Sequence, residues 1–208
     1  MTNKRKQQAE HTRSRIIDAM QKLVGEHGYE NVTVDLIAEE CGIGKGTLYH
    51  YFPGKDAIFT YISRDRFDES AEAIEQMEFA SAEDKLRYYL VDWFEKICAD
   101  SVNSSSAWYR FAVEHKLPSG NANTHFDDDM RRIERIIEEG RSSGEFVESV
   151  PADSLASEIT FAINGATLYR CINLDGFDLR AWGERYTSEF LSQLLAPYRA
   201  HAVEPVQA

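Results

Sequence analysis

An all-α chain is predicted, with an N-terminal helix-turn-helix three-helix head and a larger C-terminal helical domain. Three observations predict it. Across the 208 residues apolar side chains recur with helical spacing, and no stretch sustains the apolar/polar alternation of a half-buried strand between turn signals. Residues 33–55 read as two short helices joined by a tight turn. The charge is also divided: residues 1–66 hold 10 Lys+Arg and 9 Asp+Glu, a net of +1, whereas 67–208 hold 13 and 26, a net of −13, which together make the −12 of the chain. An acidic remainder behind a near-neutral head fits two domains with different partners.

The elements follow in order. Residues 1–10 are polar and expected to be loose. A first helix is expected over about residues 12–27, with Ile16, Met20, Leu23, Val24 and His27 on its inward stripe and Gly28 just past its end. Thr33 can cap a second helix whose Val34, Ile37, Ala38 and Cys41 share one face, and Gly42 ends it where a left-handed residue is needed. A third helix begins near Gly44 or Lys45 and stops at Pro53. A fourth runs over about 55–77, with Ile58, Phe59 and Ile62 serving the head and Phe67, Ala71 and Ile74 leading away from it. Five more are expected over about 82–99, 105–115, 122–142, 151–172 and 178–198, separated by polar, Pro- or Gly-containing breaks. The expected division is 1–54 for the head, 55–80 for a connecting helix and 81–208 for the C-terminal domain.

The third helix carries the chemistry. Leu48 and Phe52 point inward, one turn apart, leaving Gly46, Thr47 and His50 on the opposite side with Lys45, Tyr49 and Tyr51 on the flanks. A hydroxyl, an imidazole and a bare glycine edged by phenols and an ammonium pack poorly against protein. They suit a major groove, where small polar tips reach base edges and flanking groups reach phosphates. Thr33, Lys45, Tyr49, Tyr51 and Lys55 are the expected phosphate contacts, Lys55 lying in the first turn of the fourth helix. Gly46, Thr47 and His50 are the expected base contacts.

These residues resemble the TetR family of bacterial transcriptional regulators. The likeness spans residues 15–62 and rests on Ile16-Ile17-Asp18-Ala19, Gly28-Tyr29, Thr33-Val34, Ile37-Ala38, Cys41-Gly42-Ile43, Lys45-Gly46-Thr47-Leu48-Tyr49, Tyr51-Phe52 and Lys55. It implies a two-fold dimer joined by the last two helices and a small-molecule effector pocket among the middle helices. The expected activity is therefore a ligand-responsive repressor that binds a pseudo-palindromic double-stranded DNA operator as a homodimer. An architectural DNA-binding dimer without an effector is the alternative, and a helical enzyme that kept a helix-turn-helix is the more distant one.

The C-terminal residues bear on both implications. Trp93, Trp108, Arg110, Asn164 and Tyr169 mix rings with polar groups and are the expected lining of an effector pocket. Each of the last two helices has two apolar faces and must be covered nearly all round. Leu155, Ile159, Ala162, Ala166, Trp182, Tyr186, Phe190 and Leu194 are the expected dimer contacts, while Phe161, Leu168, Cys171 and Ile172 project elsewhere. The odd cysteines Cys41, Cys98 and Cys171 form no disulfide framework, and Cys41 reads as core. His115 and His125 with Asp127, Asp128 and Asp129 could suggest a metal, but acids at a helix start are accounted for by its dipole, so neither a metal nor a cofactor is expected. No nucleophile elbow or phosphate-cradling loop appears, so no catalytic residue is expected. No apolar run spans a bilayer and no secretion signal is visible, which places the expected protein in the cytoplasm, off the membrane.

Overall fold

The computed structural model describes residues 3–99, 105, 106, 109, 125–173 and 176–200. Among these no strand forms, and the expected all-α class holds. The described residues fall into two compact units. One holds residues up to Glu69 with Ser105, Ser106 and Tyr109; the other holds Ser70–Ala99 and the described residues from His125 onward.

In the first unit, α1 (Asn3–His27) begins well before residue 12. Lys4 to Glu10 are good helix formers with no breaker among them, so the helix extends through this polar stretch. His27, expected inward, is exposed, because the stripe drifts off the core at the last turn. Gly28 then takes a φ of 76°, and a 3-10 turn over Tyr29–Asn31 leads to α2 (Val34–Glu40). The end of α2 closes as a Schellman motif: Gly42 has a φ of 61°, and Ile43 N–H donates to the Ala38 carbonyl at 2.9 Å. After α3 (Lys45–Tyr51), α4 (Lys55–Glu75) starts directly behind Pro53-Gly54. Ile16, Met20, Val32, Ile37, Leu48 and Ile58 are all fully buried in one core, with Phe52 and Phe59 beside them. Cys41 donates from Sγ to the Arg15 carbonyl at 3.3 Å while Arg15 donates back to the Cys41 carbonyl, tying α1 to the turn. Burial holds the Cys41 thiol above its ordinary value, so the group stays protonated and acts as packing.

The second unit contains α5 (Ala82–Ala99), α6 (His125–Ser142) and α7 (Ala152–Ile172). The helix expected over about 105–115 lies outside the described residues, apart from Ser105, Ser106 and Tyr109. The last helix, expected as one piece, is α8 (Leu179–Arg185), a π-helical turn at Tyr186–Phe190, α9 (Leu191–Leu195) and a 3-10 turn at Ala196–Tyr198. Asp178 caps it, accepting from Ala181 N–H at 3.0 Å. Glu145 reaches back to the start of α5, where its carboxylate accepts from the backbone N–H groups of Ala82 (2.6 Å) and Glu83 (3.0 Å). That satisfies two donors a helix end otherwise leaves unserved.

Candidate nucleic-acid interface and effector region

Local chemistry positions the recognition surface. Thr33 sits extended ahead of α2, and its hydroxyl accepts from Leu36 N–H at 3.2 Å. That hydroxyl keeps its own proton to donate outward. On α3, Leu48 is fully buried and anchors the helix, which turns Lys45, Gly46, Thr47 and His50 to solvent; Tyr49 is 51% exposed. The Cβ positions of Gly44 and Gly46 have open space around them, so the backbone here can be approached closely. Tyr51 is only half-buried: it packs on the core, with its ring edge-on to His50 at 5.4 Å. Arg13 lies over both Phe52 (5.5 Å) and Tyr61 (5.3 Å), holding the end of α3 against α1 and α4.

The charges around α3 are paired. Lys45 meets Asp35 of α2 at 2.6 Å, and that carboxylate holds the Lys45 ammonium above its usual pKa. Both side chains are more than half exposed, so the pair is weak and readily exchanged for another anion. Glu40, an acid that would repel DNA, is engaged by Lys22 of α1 at 2.7 Å. Lys55 departs from expectation. Its ammonium donates to the Tyr29 carbonyl at 3.2 Å and the Val32 carbonyl at 3.1 Å.

Residues 16–62 match the family described as bacterial regulatory proteins, tetR family. The N-terminal head is thus a tetR-family head. A fatty acid metabolism regulator protein of Bacillus subtilis (strain 168) is 26% identical over 156 residues, covering 70% of this chain and 76% of the relative. An HTH-type transcriptional regulator of Staphylococcus aureus (strain USA300) is 45% identical over 58 residues, 27% of this chain and 31% of the relative. The likeness therefore concentrates in the head. Among solved structures, the transcriptional regulator FadR from Bacillus subtilis, in complex with stearoyl-CoA, superposes with a TM-score of 0.65 at 24% identity, over 88% of this chain and 97% of that one. The chain is a DNA-binding transcriptional regulator.

Of the residues expected to line an effector pocket, the three described ones differ in burial. Trp93 (1% exposed) and Asn164 are buried, Tyr169 is half exposed with its ring edge-on to Phe177, and Trp108 and Arg110 lie outside the described residues. Tyr169 misses the interior because it falls on the solvent phase of α7, beside Leu168. A residue that the sequence places at a helix start is instead central. Asp129 is fully buried, accepting from Tyr89 O–H at 2.5 Å and from the Trp93 indole N–H at 3.0 Å, with Arg132 at 3.8 Å. The available signal is the pair of donors one turn apart on α5. Desolvation outweighs both hydrogen bonds and pushes the carboxyl up to about 6.

A carboxyl whose folded-state pKa is raised stabilises the fold fully below its unfolded value and loses that contribution as pH climbs through the folded value. Stability should therefore fall between about pH 4 and 6 by about 3 kcal/mol from this group. Urea unfolding of wild type and Asp129→Asn at pH 4, 5, 6 and 7.5 should show the two curves diverging over that window, the variant gaining on wild type as pH rises. Parallel curves would contradict the assignment.

The residues expected at the dimer contact are mostly turned inward. Leu155, Ile159 and Ala166 are buried in their own subunit, as is Tyr186, and Ala162, Trp182 and Leu194 are half-buried; of that set Phe190 is open, at 55% exposed. The uncovered apolar stripe of α7 is the other one: Phe161 (67%), Leu168 (43%) and Ile172 (74%), with the bare Gly165 between. The physical reason is phase. Leu155, Ile159, Ile163 and Ala166 recur on the side packed against α6 and α8, whereas 161, 165, 168 and 172 follow a three-four spacing on another face.

Proposed function

We propose that this protein is a repressor that binds a pseudo-palindromic operator as a two-fold dimer and releases it when a small-molecule effector binds. The observation that carries the reading is the outer face of α3: Gly46, Thr47 and His50 are exposed while Leu48 directly behind them is fully buried. A helix that is rigidly seated and outwardly polar suits a major groove. Gly46, Thr47 and His50 face the bases; Thr33, Lys45, Tyr49 and Tyr51 hold phosphates. Dimerisation uses the stripe of Phe161, Leu168 and Ile172 together with Phe190, because two short recognition helices select a site that one cannot. The relative's bound stearoyl-CoA makes long-chain acyl thioesters the first effector class to test.

Selection from random duplex DNA, followed by footprinting, tests the reading. It should return inverted repeats with half-sites one helical turn, roughly 34 Å, apart. Lys45→Ala and Tyr49→Ala should weaken binding to all duplexes alike. Thr47→Ala and His50→Ala should relax base preference at one or two positions, each by about 1–3 kcal/mol. Selection that returns no consensus, or a footprint over a lone half-site by monomeric protein, overturns the reading. The selected duplex, challenged with a panel of acyl thioesters and other metabolites, then identifies what releases it.

A further inference from the structure

Lys55 opens α4, where a basic side chain would ordinarily be assigned to a phosphate. The structure gives its ammonium a different set of partners. Two of its three protons go to the backbone, to the Tyr29 carbonyl at 3.2 Å and the Val32 carbonyl at 3.1 Å, and the Tyr29 ring lies 4.3 Å from Nζ. The other end of the same tyrosine is held by the next residue of α4, as Tyr29 O–H donates to the Asp56 carboxylate. Tyr29 is buried, packs its ring tilted against Phe59 at a centroid distance of 4.7 Å, and belongs to the 3-10 turn that ends at Asn31. Val32 is fully buried and directly precedes Thr33, the residue that caps α2.

We propose, on the DNA-binding reading above, that Lys55 is a positioning residue of the recognition head and not a phosphate contact: its ammonium clamps the Tyr29–Val32 segment and so fixes where Thr33 and α2 begin. With two protons on carbonyls and the Tyr29 ring against the ammonium, a phosphate could draw Lys55 outward only by weakening these contacts, one of them to the carbonyl of a fully buried residue. Lys45 is the opposite case. Its described partner is the exposed carboxylate of Asp35, and exchanging one surface anion for another costs little. The two lysines flanking α3 therefore divide the work, one mobile toward the duplex and one spent on the fold.

The salt dependence of operator binding separates the roles. Each phosphate that a side chain ceases to neutralise shallows the slope of log K against log[salt] by about 0.9. Binding of wild type, Lys45→Ala and Lys55→Met to the selected duplex is measured across salt concentrations, at a temperature where each variant is folded. Lys45→Ala should shallow the slope by about 1.8 per two-headed dimer. Lys55→Met should melt at lower temperature and bind about tenfold more weakly, with the wild-type slope retained. A merely structural lysine would lower the melting temperature and leave the folded protein's affinity alone, which overturns the proposal; so does a slope that shallows as in Lys45→Ala. If Lys55→Met does not fold, acetylation of wild-type lysines with and without the duplex decides. Lys55 should react slowly in both states, and fast reaction that DNA suppresses overturns the clamp. Wild type that selects no duplex removes the DNA-binding reading itself, and the positioning role with it.

Discussion

Changing Phe161 and Ile172 together to aspartate should yield a folded monomer whose operator affinity is lower by about 10²–10⁴-fold. The fold should tolerate the changes because both side chains already face solvent, at 67% and 74% exposure, and surface substitutions of this kind stay within about 0.5 kcal/mol. The assembly should not. Two carboxylates per subunit on an apolar seam must either be desolvated without partners or hold the surfaces apart, and the first costs several kcal/mol. Once the subunits separate, each head meets its half-site alone and the gain from tethering disappears. Sedimentation velocity and fluorescence anisotropy on one sample read both effects. Leu155→Ala is the counterpart on the inward stripe, and there the cost should be about 2–5 kcal/mol of subunit stability. A double aspartate variant that remains dimeric would show that this stripe is not the seam.

The second large effect concerns the interior. Trp93→Ala should destabilise the C-terminal unit by about 3–5 kcal/mol from the volume removed, and by about 1–3 kcal/mol more because the buried Asp129 carboxylate is deprived of a donor. Against a domain stability of about 5–15 kcal/mol, that takes the unit close to unfolding at ordinary temperature. Trp93→Phe separates the two contributions: it keeps most of the ring and removes the N–H, so the smaller loss alone should remain. Because the missing bond is to the ionised carboxylate, the Trp93→Phe deficit should be larger at pH 7.5 than at pH 4, where Asp129 is protonated. Denaturant melts at the two pH values measure it, and an equal deficit at both would detach the indole from the carboxylate.

How much of the molecule is legible in its sequence depends on the range of each interaction. The turn between α2 and α3 is written locally: a capping threonine, a glycine that must take positive φ, and a Leu48 whose phase decides what faces out. Such features involve neighbours within a few residues, and the chain alone discloses them. Periodicity also discloses two apolar stripes on α7, but it cannot say which lies inside when both are apolar, and the stripe expected at the seam is the inward one. Lys55 shows the same limit. Charge at a helix start is visible in sequence, but the carbonyls it meets lie 26 and 23 residues earlier, and only packing brings them there. Asp127, Asp128 and Asp129 look alike as a run; only helical phase singles out the third for the interior.

The π-helical turn at Tyr186–Phe190 has a consequence for the end of the chain. It stacks Tyr186 on Trp182 at 4.9 Å and inserts one extra residue before Leu191 and Leu195, both fully buried. Every residue after the widened turn is thereby rotated by about 100° from where a regular helix would carry it. A relative whose final helix runs unbroken reaches the same inward leucines with one residue fewer, so a single-residue deletion within 186–190 is a change of rotation and not merely of length.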